Sequence, residues 1–574
     1  MSVRYGRRYR DPVHGYVYVP QELVELVDSP FIARLRRIHQ NGCGHVVYPS
    51  LTGNRFEHAL GVMHLGMKAW DSAWHNAGFT TQSALAGDVY KDLVADGRDP
   101  YFSHLQKRDR LEDRERVWVD AFGKIMRIAL GAAALLHDVG HGPYSHTLEP
   151  EFSRFRERIF QEETLVELAR IEEESPRLQF HEVCGQLLAE RALASLKDEF
   201  CTWITMQILT GDRATTPQWA RAIHHIISAP IDTDRLDYLL RDSSRAGTEF
   251  GAIDVERILE SITIEARSDP KPEWFIGYGS RAISAIETLL TNRERAYRWV
   301  YFHANALASD TALRRLVHEA FTREEDDLSQ FDFLSKWGDE HAYDGSAWVD
   351  DAMIISYLNS VLQRTPSSDT KVERLRALHR LAFDGDRGVL FAWRSYEELL
   401  AGLRAMKLDW CENLVEQAKR AEETVADRSG AARTWRANEE NFAAALNAVA
   451  KLRLEGDENL EHTVESLLNG RHGQVASVRG TWIVTQRLRF SMRTAKIQLW
   501  HDSVPISFER LSPIAKGLEQ ADDMRLKLWA CFVPFERTSY DRGDRAHSGS
   551  EVARIFLSEF IGPTKSASQK QTKE

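Results

Sequence analysis

The stretch Ala132–Glu149, AAALLHDVGHGPYSHTLE, decides how this chain is read. An apolar run, Ile128–Leu136, delivers the pair His137-Asp138; Gly140, His141, Gly142, Pro143 and His146 follow. A histidine beside a carboxylate offers one nitrogen and one oxygen to a hard or borderline divalent cation. The glycines and the proline end the helix and let backbone approach closely. Three histidines and two carboxylates fall within His137–Glu149, in a chain with 21 histidines among 574 residues. Alone, the dipeptide reads as surface histidines at a helix end, and its meaning depends on partners elsewhere.

Working outward, two partners stand out. His58 lies in Asn54-Arg55-Phe56-Glu57-His58, so Arg55 and His58 share one helix face. Asp234 opens DRLDYLLRD, where Asp234, Tyr238 and Asp242 fall at i, i+4 and i+8 on one stripe, with Arg235 beside it. Each has a plainer reading. His58 suits a hydrogen-bonded core histidine, and Asp232 or Asp234 suits a helix N-cap. Arg293, Tyr297 and Tyr301 form a second i, i+4, i+8 stripe, which by itself reads as an amphipathic core face.

Bulk composition narrows the classes. The length predicts three or four domain-sized units. Hydrophobic residues at 43% and charged residues at 28% describe an ordinary globular protein. No apolar run approaches the ~20 residues that span a bilayer, and MSVRYGRRYRDPVHG has no apolar segment after its basic start, so no membrane partner or secretory signal is expected. Cys43, Cys184, Cys201, Cys411 and Cys531 are scattered and form no CxxC pair, which points to a reducing, cytoplasmic setting and away from zinc-thiolate sites. A net charge of −11 argues against nucleic acid as the main ligand.

The pattern along the chain predicts a short strand within residues 1–20, a helix over Gln21–Gln40 broken at Pro30, and a helix over Asn54–Trp70. Residues 78–118 are polar without a sustained pattern and read as an insertion with at most short helices. Helices are expected over Glu151–Glu174, Phe180–Leu196, Trp219–Ile227, Ile231–Gly247 and Ile283–Phe321, and again to about Ala426 and Leu454. Thr481–Phe490, Lys496–His501 and Leu526–Pro534 read as strands, with a helix over SPIAKGLEQ. The expected division is a core over 1–310, a helical extension over 311–480, a small α+β lobe over 481–562 and a polar disordered tail over 563–574.

The ordered words DPVHG (Asp11–Gly15), DSPFIARLRRIHQ (Asp28–Gln40), NRFEHALGV (Asn54–Val62), LLHDVGHGPYSH (Leu135–His146), His181-Glu182, IDTDRLDYLLRD (Ile231–Asp242) and RERAYRWVYFH (Arg293–His303) resemble the HD-domain deoxynucleoside triphosphate triphosphohydrolases. The resemblance covers about residues 8–310 and extends weakly to Thr481–Pro534. It implies a mainly α fold, an HD-domain helical core with a small α+β C-terminal lobe. It implies a divalent metal (Mg, Mn, Fe or Zn) on His58, His137, Asp138 and Asp234, and hydrolysis of dNTPs to deoxynucleoside and inorganic triphosphate. His141, His146 and His181 match family active-site histidines; His146 with Glu149, and His181 with Glu182, read as histidine–carboxylate pairs for acid–base work.

Arg55, Arg235 and Arg293 match triphosphate-holding positions. Gln40, Tyr238, Asp242 and Tyr301 match positions around the deoxyribose, where a packed tyrosine excludes a 2′-hydroxyl. Asp28 and Arg36 match a nucleotide effector site for a dNTP or GTP, and the family implies a homo-oligomer that lowers dNTP pools, with antiphage defence as one role. Ala33, Asn41, Arg235 and Ala304 depart from the family words. The alternatives are an HD phosphodiesterase or nucleotidase on cyclic or oligonucleotides, which needs the metal but not the arginine–tyrosine set, and a non-catalytic nucleotide sensor.

Overall fold

The computed structural model describes residues 5–97; 111–335 apart from 195, 197, 212, 214 and 268–272; 348–394 apart from 367–369 and 386–387; 398; and 460–557 apart from 476, 487–493, 502–503, 521–527 and 538–550. It is mainly helical with a few small sheets, as the sequence predicts. The division of the chain is not serial. One unit takes Met1–Val300, Phe321–Tyr357 and Met492–Glu519; the other takes Tyr301–Ala320, Leu358–Ser491 and Gln520–Glu574. Of the expectations above, the helical pattern to about Ala426 begins with helices Asp351–Arg364 and Thr370–Phe383, while its part over 399–459 and the tail over 563–574 lie outside the described residues.

In the first unit, β1 (Tyr5–Asp11) and β2 (Gly15–Pro20) form an antiparallel hairpin. Asp11 closes its turn: Oδ1 accepts from Val13 N at 2.8 Å and His14 N at 2.9 Å. The expected Gln21–Gln40 helix is instead a run of short helical turns, including Val24–Asp28, Pro30–Ala33 and Arg34–Arg37. Pro30 allows a helix start but no continuation from Ser29.

Asn54 then starts the central helix, α1 (Arg55–Ala95), with a capping box: its side chain accepts from Glu57 N at 3.1 Å while Glu57 Oε1 accepts from Asn54 N at 2.9 Å. Phe56 through Met63 are nearly all buried, so the first turns lie inside the unit rather than on it. Gly78, at φ 69°, kinks the helix, which then runs on to Ala95. This corrects the expectation of at most short helices over the first part of 78–118; residues 98–110 lie outside the described residues. Leu85, Ala86, Val89 and Leu93 form its buried stripe. Asp88, Asp92 and Asp96, one turn apart, accept the indole N–H groups of Trp274 (3.1 Å), Trp219 (2.8 Å) and Trp203 (2.8 Å). The polar residues that hid the helix in the sequence are what fasten it.

Helix α2 (Leu111–Leu136) lies along α1, with Trp70 Nε1 donating to Gly123 O at 2.9 Å. The same unit holds α3 (Phe180–Leu193), α4 (Thr233–Ala246) and α5 (Ile283–Ala296). A four-stranded sheet, unforeseen in its first half, follows the order β3 (Ile262–Arg267), β4 (Glu273–Gly279), β5 (Gln498–His501), β6 (Val504–Ser507). β4 and β5 pair in parallel at Tyr278↔Leu499. The strand expected over Lys496–His501 therefore pairs with Val504–Ser507 and β4 in this unit's sheet, and not with the strands expected over Thr481–Phe490 and Leu526–Pro534.

In the second unit, Val478–Gln486 and Leu528–Pro534 pair antiparallel at the centre of a four-stranded sheet. Arg315 and Glu465, both buried, form an ion pair at 2.8 Å there, and Glu465 Oε1 also accepts from Val484 N at 2.7 Å. A buried pair needs such extra hydrogen bonds to offset desolvation.

Candidate metal centre

Three elements of the first unit converge on one point. The first turn of α1 supplies His58, the end of α2 leads to His137 and Asp138, and the first turn of α4 supplies Asp234. The N-cap role near Asp234 belongs to Asp232, whose Oδ1 accepts from Arg235 N at 2.7 Å. Asp234 is thereby left to face His58: its Oδ1 lies 3.0 Å from His58 Nε2 and 3.8 Å from His137 Nε2. Asp138 Oδ2 lies 3.6 Å and 3.5 Å from the same two nitrogens.

The tautomers follow from the outer contacts. His58 Nδ1 donates to Asp237 Oδ2 at 2.7 Å, and His137 Nδ1 donates to Ala134 O at 2.8 Å. Both Nε2 lone pairs then point inward. Both Nε2 atoms are buried and have no hydrogen-bond partner among the described residues. Buried nitrogens without a donor or acceptor, beside two carboxylates, fit a divalent cation. Burial opposes protonation of His58, but the adjoining carboxylates of Asp234 and Asp237 outweigh it and raise its pKa to about 10. A cation must therefore displace a proton, which makes affinity rise with pH. Burial favours neutral Asp138, yet Arg55 and the imidazoles hold its carboxyl well below the usual range.

Asp237 is the residue that sequence reading missed. It is fully buried; Oδ1 accepts from His14 Nε2 at 2.6 Å and from Arg241 Nη2 at 2.9 Å, and Arg241 Nη1 reaches Asp11 Oδ2 at 3.0 Å. Gly61 makes room, since a Cβ there would sit 1.8 Å from Asp237 Oδ1. The signal was present as Asp234-x-x-Asp237 and the Asp11-Pro-Val-His14-Gly word.

Beside the first group lies a second, His141, His146, Glu149 and His181. Gly140 brings the two segments into contact: a Cβ there would lie 2.0 Å from His181 O and 2.2 Å from Gly185 N. Glu149 gathers two imidazoles, His146 Nδ1 at 3.0 Å and His181 Nδ1 at 2.9 Å, plus His181 N at 2.9 Å. His141 and His181 stack with centroids 4.0 Å apart and planes 10° apart. Desolvation favours a neutral Glu149, but these hydrogen bonds hold its pKa far below the carboxylate norm. His141 is held well below the imidazole norm by burial first, then by Arg55 and His181. The predicted His181–Glu182 pair is corrected. Glu182 Oε2 accepts from Gln179 N at 2.6 Å in the capping box of α3, so it serves the helix start.

The substrate set is gathered in part. Arg55 is buried, donating from Nη1 to Asp138 Oδ2 and from Nε to Ser145 Oγ at 2.9 Å. Arg293 faces Tyr238 and Tyr297. Asp242 Oδ1 accepts from Asn41 Nδ2 at 2.8 Å, which gives the unexpected Asn41 a partner. Gln40 Oε1 is buried without a hydrogen-bond partner among the described residues. Arg235 turns back onto Asp232 and Ala229 O. Tyr301 falls in the second unit, at the end of the π-helical turn Tyr297–Tyr301. Asp28 pairs with Arg7, and the Arg36 guanidinium sits 3.4 Å from the Phe56 ring centroid.

No family profile matches the chain. The chain is 28% identical over 318 residues to an uncharacterized protein, MJ1154, of Methanocaldococcus jannaschii, covering 54% of this chain and 48% of that one. It is 26% identical over 258 residues to deoxynucleoside triphosphate triphosphohydrolase SAMHD1 of Mus musculus, covering 42% and 32%. It is 25% identical over 345 residues to putative HD domain-containing protein L394 of Acanthamoeba polyphaga mimivirus, covering 58% and 62%. The chain spans about half the length of the curated relatives it matches. Among the described residues, no helix is long and apolar enough to cross a membrane.

Proposed function

We propose that this chain, related to the HD-domain, dNTPase-like proteins, is a divalent-metal-dependent hydrolase of dNTPs that releases deoxynucleoside and inorganic triphosphate. The observation that carries the reading is the pair of bare Nε2 atoms of His58 and His137, set between Asp138 and Asp234 and next to an acid–base group. His58, His137, Asp138 and Asp234 would hold the cation. When bound, it supplies positive charge that polarises a phosphoryl oxygen and eases deprotonation of water.

The remaining chemistry falls to this chain's own side chains. A bond forms between water oxygen and the α-phosphorus, and the bond from phosphorus to O5′ breaks. One proton leaves the water and one reaches O5′. His181, buried and anchored by Glu149, suits the first transfer; His146, exposed at the rim on the same carboxylate, suits the second. Arg293, beside Tyr238, offers a fork for the triphosphate. The reading includes regulation by a nucleotide and a homo-oligomeric state that lowers dNTP pools. The test incubates the protein with single dNTPs and mixtures plus Mg²⁺, Mn²⁺, Fe²⁺ or Zn²⁺ and resolves the products. Inorganic tripolyphosphate supports the proposal; pyrophosphate with dNMP, or no turnover in any mixture, overturns it.

A further inference from the structure

A second acidic pair starts a helix far along the chain. In Val349-Asp350-Asp351, Asp350 does the capping: Oδ1 accepts from Met353 N at 3.0 Å, while Oδ2 meets Arg37 Nε at 2.9 Å. Asp351, buried at 3% exposure, is free to reach elsewhere. Its Oδ1 accepts from Tyr144 N at 2.6 Å, and its Oδ2 accepts from His39 N at 2.9 Å and from His39 Nδ1 at 2.5 Å. One carboxylate thus ties three N–H groups from two segments that border the candidate metal centre.

What it ties is a disfavoured turn. Tyr144 and Ser145 stand at φ 55° and 51°, the left-handed region that side chains other than glycine avoid. Two consecutive residues hold that conformation only when neighbours impose it. The turn aims Ser145 Oγ, which donates to His39 O at 2.6 Å and accepts from Arg55 Nε at 2.9 Å. Arg55 Nη1 donates to Asp138 Oδ2. His39 is itself pinned to the start of α1, bridging to Asn54, and Arg55 N donates to Ile38 O at 3.0 Å.

We infer that Asp351 is a positioning residue. It holds the Tyr144–Ser145 turn so that Ser145 and Arg55 fix Asp138 at the cation end of the site. The inference rests on reading Asp138 as a cation ligand, and its test does not need dNTP turnover. Mn²⁺ affinity, by calorimetry, and the thermal midpoint are measured for the full chain, Asp351→Asn, Ser145→Gly and the double variant. Glycine adopts the left-handed turn freely but lacks the hydroxyl, so Ser145→Gly separates strain from the hydrogen bond and covers the case in which Asp351→Asn folds poorly.

Each single variant should weaken Mn²⁺ binding about tenfold or more, as loss of a supporting partner typically does. The double variant should bind no more weakly than the weaker single, because both break one chain of contacts. Unchanged affinity in Ser145→Gly, or losses that multiply in the double variant, overturns the inference. So does a fall in thermal midpoint for Asp351→Asn with Mn²⁺ affinity intact. A wild type that binds Mn²⁺ yet cleaves no dNTP overturns the proposed function alone; a wild type that binds no Mn²⁺ overturns both.

Discussion

His58 and His137 on one side, and His146 and His181 on the other, are the same residue type in neighbouring groups, each held through Nδ1, yet what holds them differs. In the first pair each Nδ1 is tied outward, to Asp237 and to Ala134 O, and the Nε2 atoms face two carboxylates. In the second pair both Nδ1 atoms turn toward one shared carboxylate, Glu149. The first wiring presents lone pairs to a cation. The second keeps imidazoles oriented and ready to exchange protons, with the stacked His141 and His181 planes nearly parallel. With Nδ1 engaged in all four, the groups differ in whether its partners are separate or one shared carboxylate, and in what faces Nε2.

The largest expected effect breaks the first group. His137→Ala should abolish stoichiometric metal, measured by elemental analysis, and cut kcat/KM by about 10³-fold, since a metal supplies several kcal/mol at 1.36 kcal/mol per decade. Next, Glu149→Gln should lower kcat about 10²-fold while metal content stays whole. Loss of metal in that variant would make the second group a ligand set and erase the contrast. The same variant tests linkage. Glu149's pKa is depressed on folding, so its stabilisation is present above its unfolded value and is lost as pH falls through the folded one. Thermal midpoints taken from pH 6 down to pH 3 should therefore fall less steeply in Glu149→Gln than in wild type.

A smaller effect sharpens the first wiring. Asp237→Asn should weaken metal binding about 10–100-fold without removing a ligand, because it releases His58 Nδ1. It also leaves Arg241 short of a buried countercharge, so stability should drop by about 3 kcal/mol in denaturant titration. The smallest effect concerns Glu182. Glu182→Ala should leave kcat/KM unchanged and cost about 1 kcal/mol of stability, as for a lost helix cap. A large loss of activity there would restore the pairing that the sequence alone suggested.

The comparison also explains what could be read early. His58, His137, Asp138 and Asp234 could be proposed because each sits in a short word, and the ordered set of words resembles one family; residue type and spacing alone left the plainer readings open. Glu182 was misread for the same reason: adjacency to His181 suggested a pair, but consecutive residues on a helix point in different directions. Asp88, Asp92 and Asp96 hid a helix because their partners, three tryptophans, lie far off in sequence.

By itself, then, the sequence determined the mainly helical class, and its resemblance to a family pointed to the candidate metal quartet and to extra histidines beside it. The class depends on local periodicity, and the candidate residues on ordered words that need no fold to recognise. Only the tertiary structure decided the wiring. Glu149 reaches His181 across 32 positions, Asp237 reaches His58 across 179, and Asp351 reaches Tyr144 across 207. It also moved the Gln498–His501 strand into the first unit's sheet. Hydrogen bonds to buried carboxylates are set by where burial brings distant segments together, and no local pattern encodes that distance.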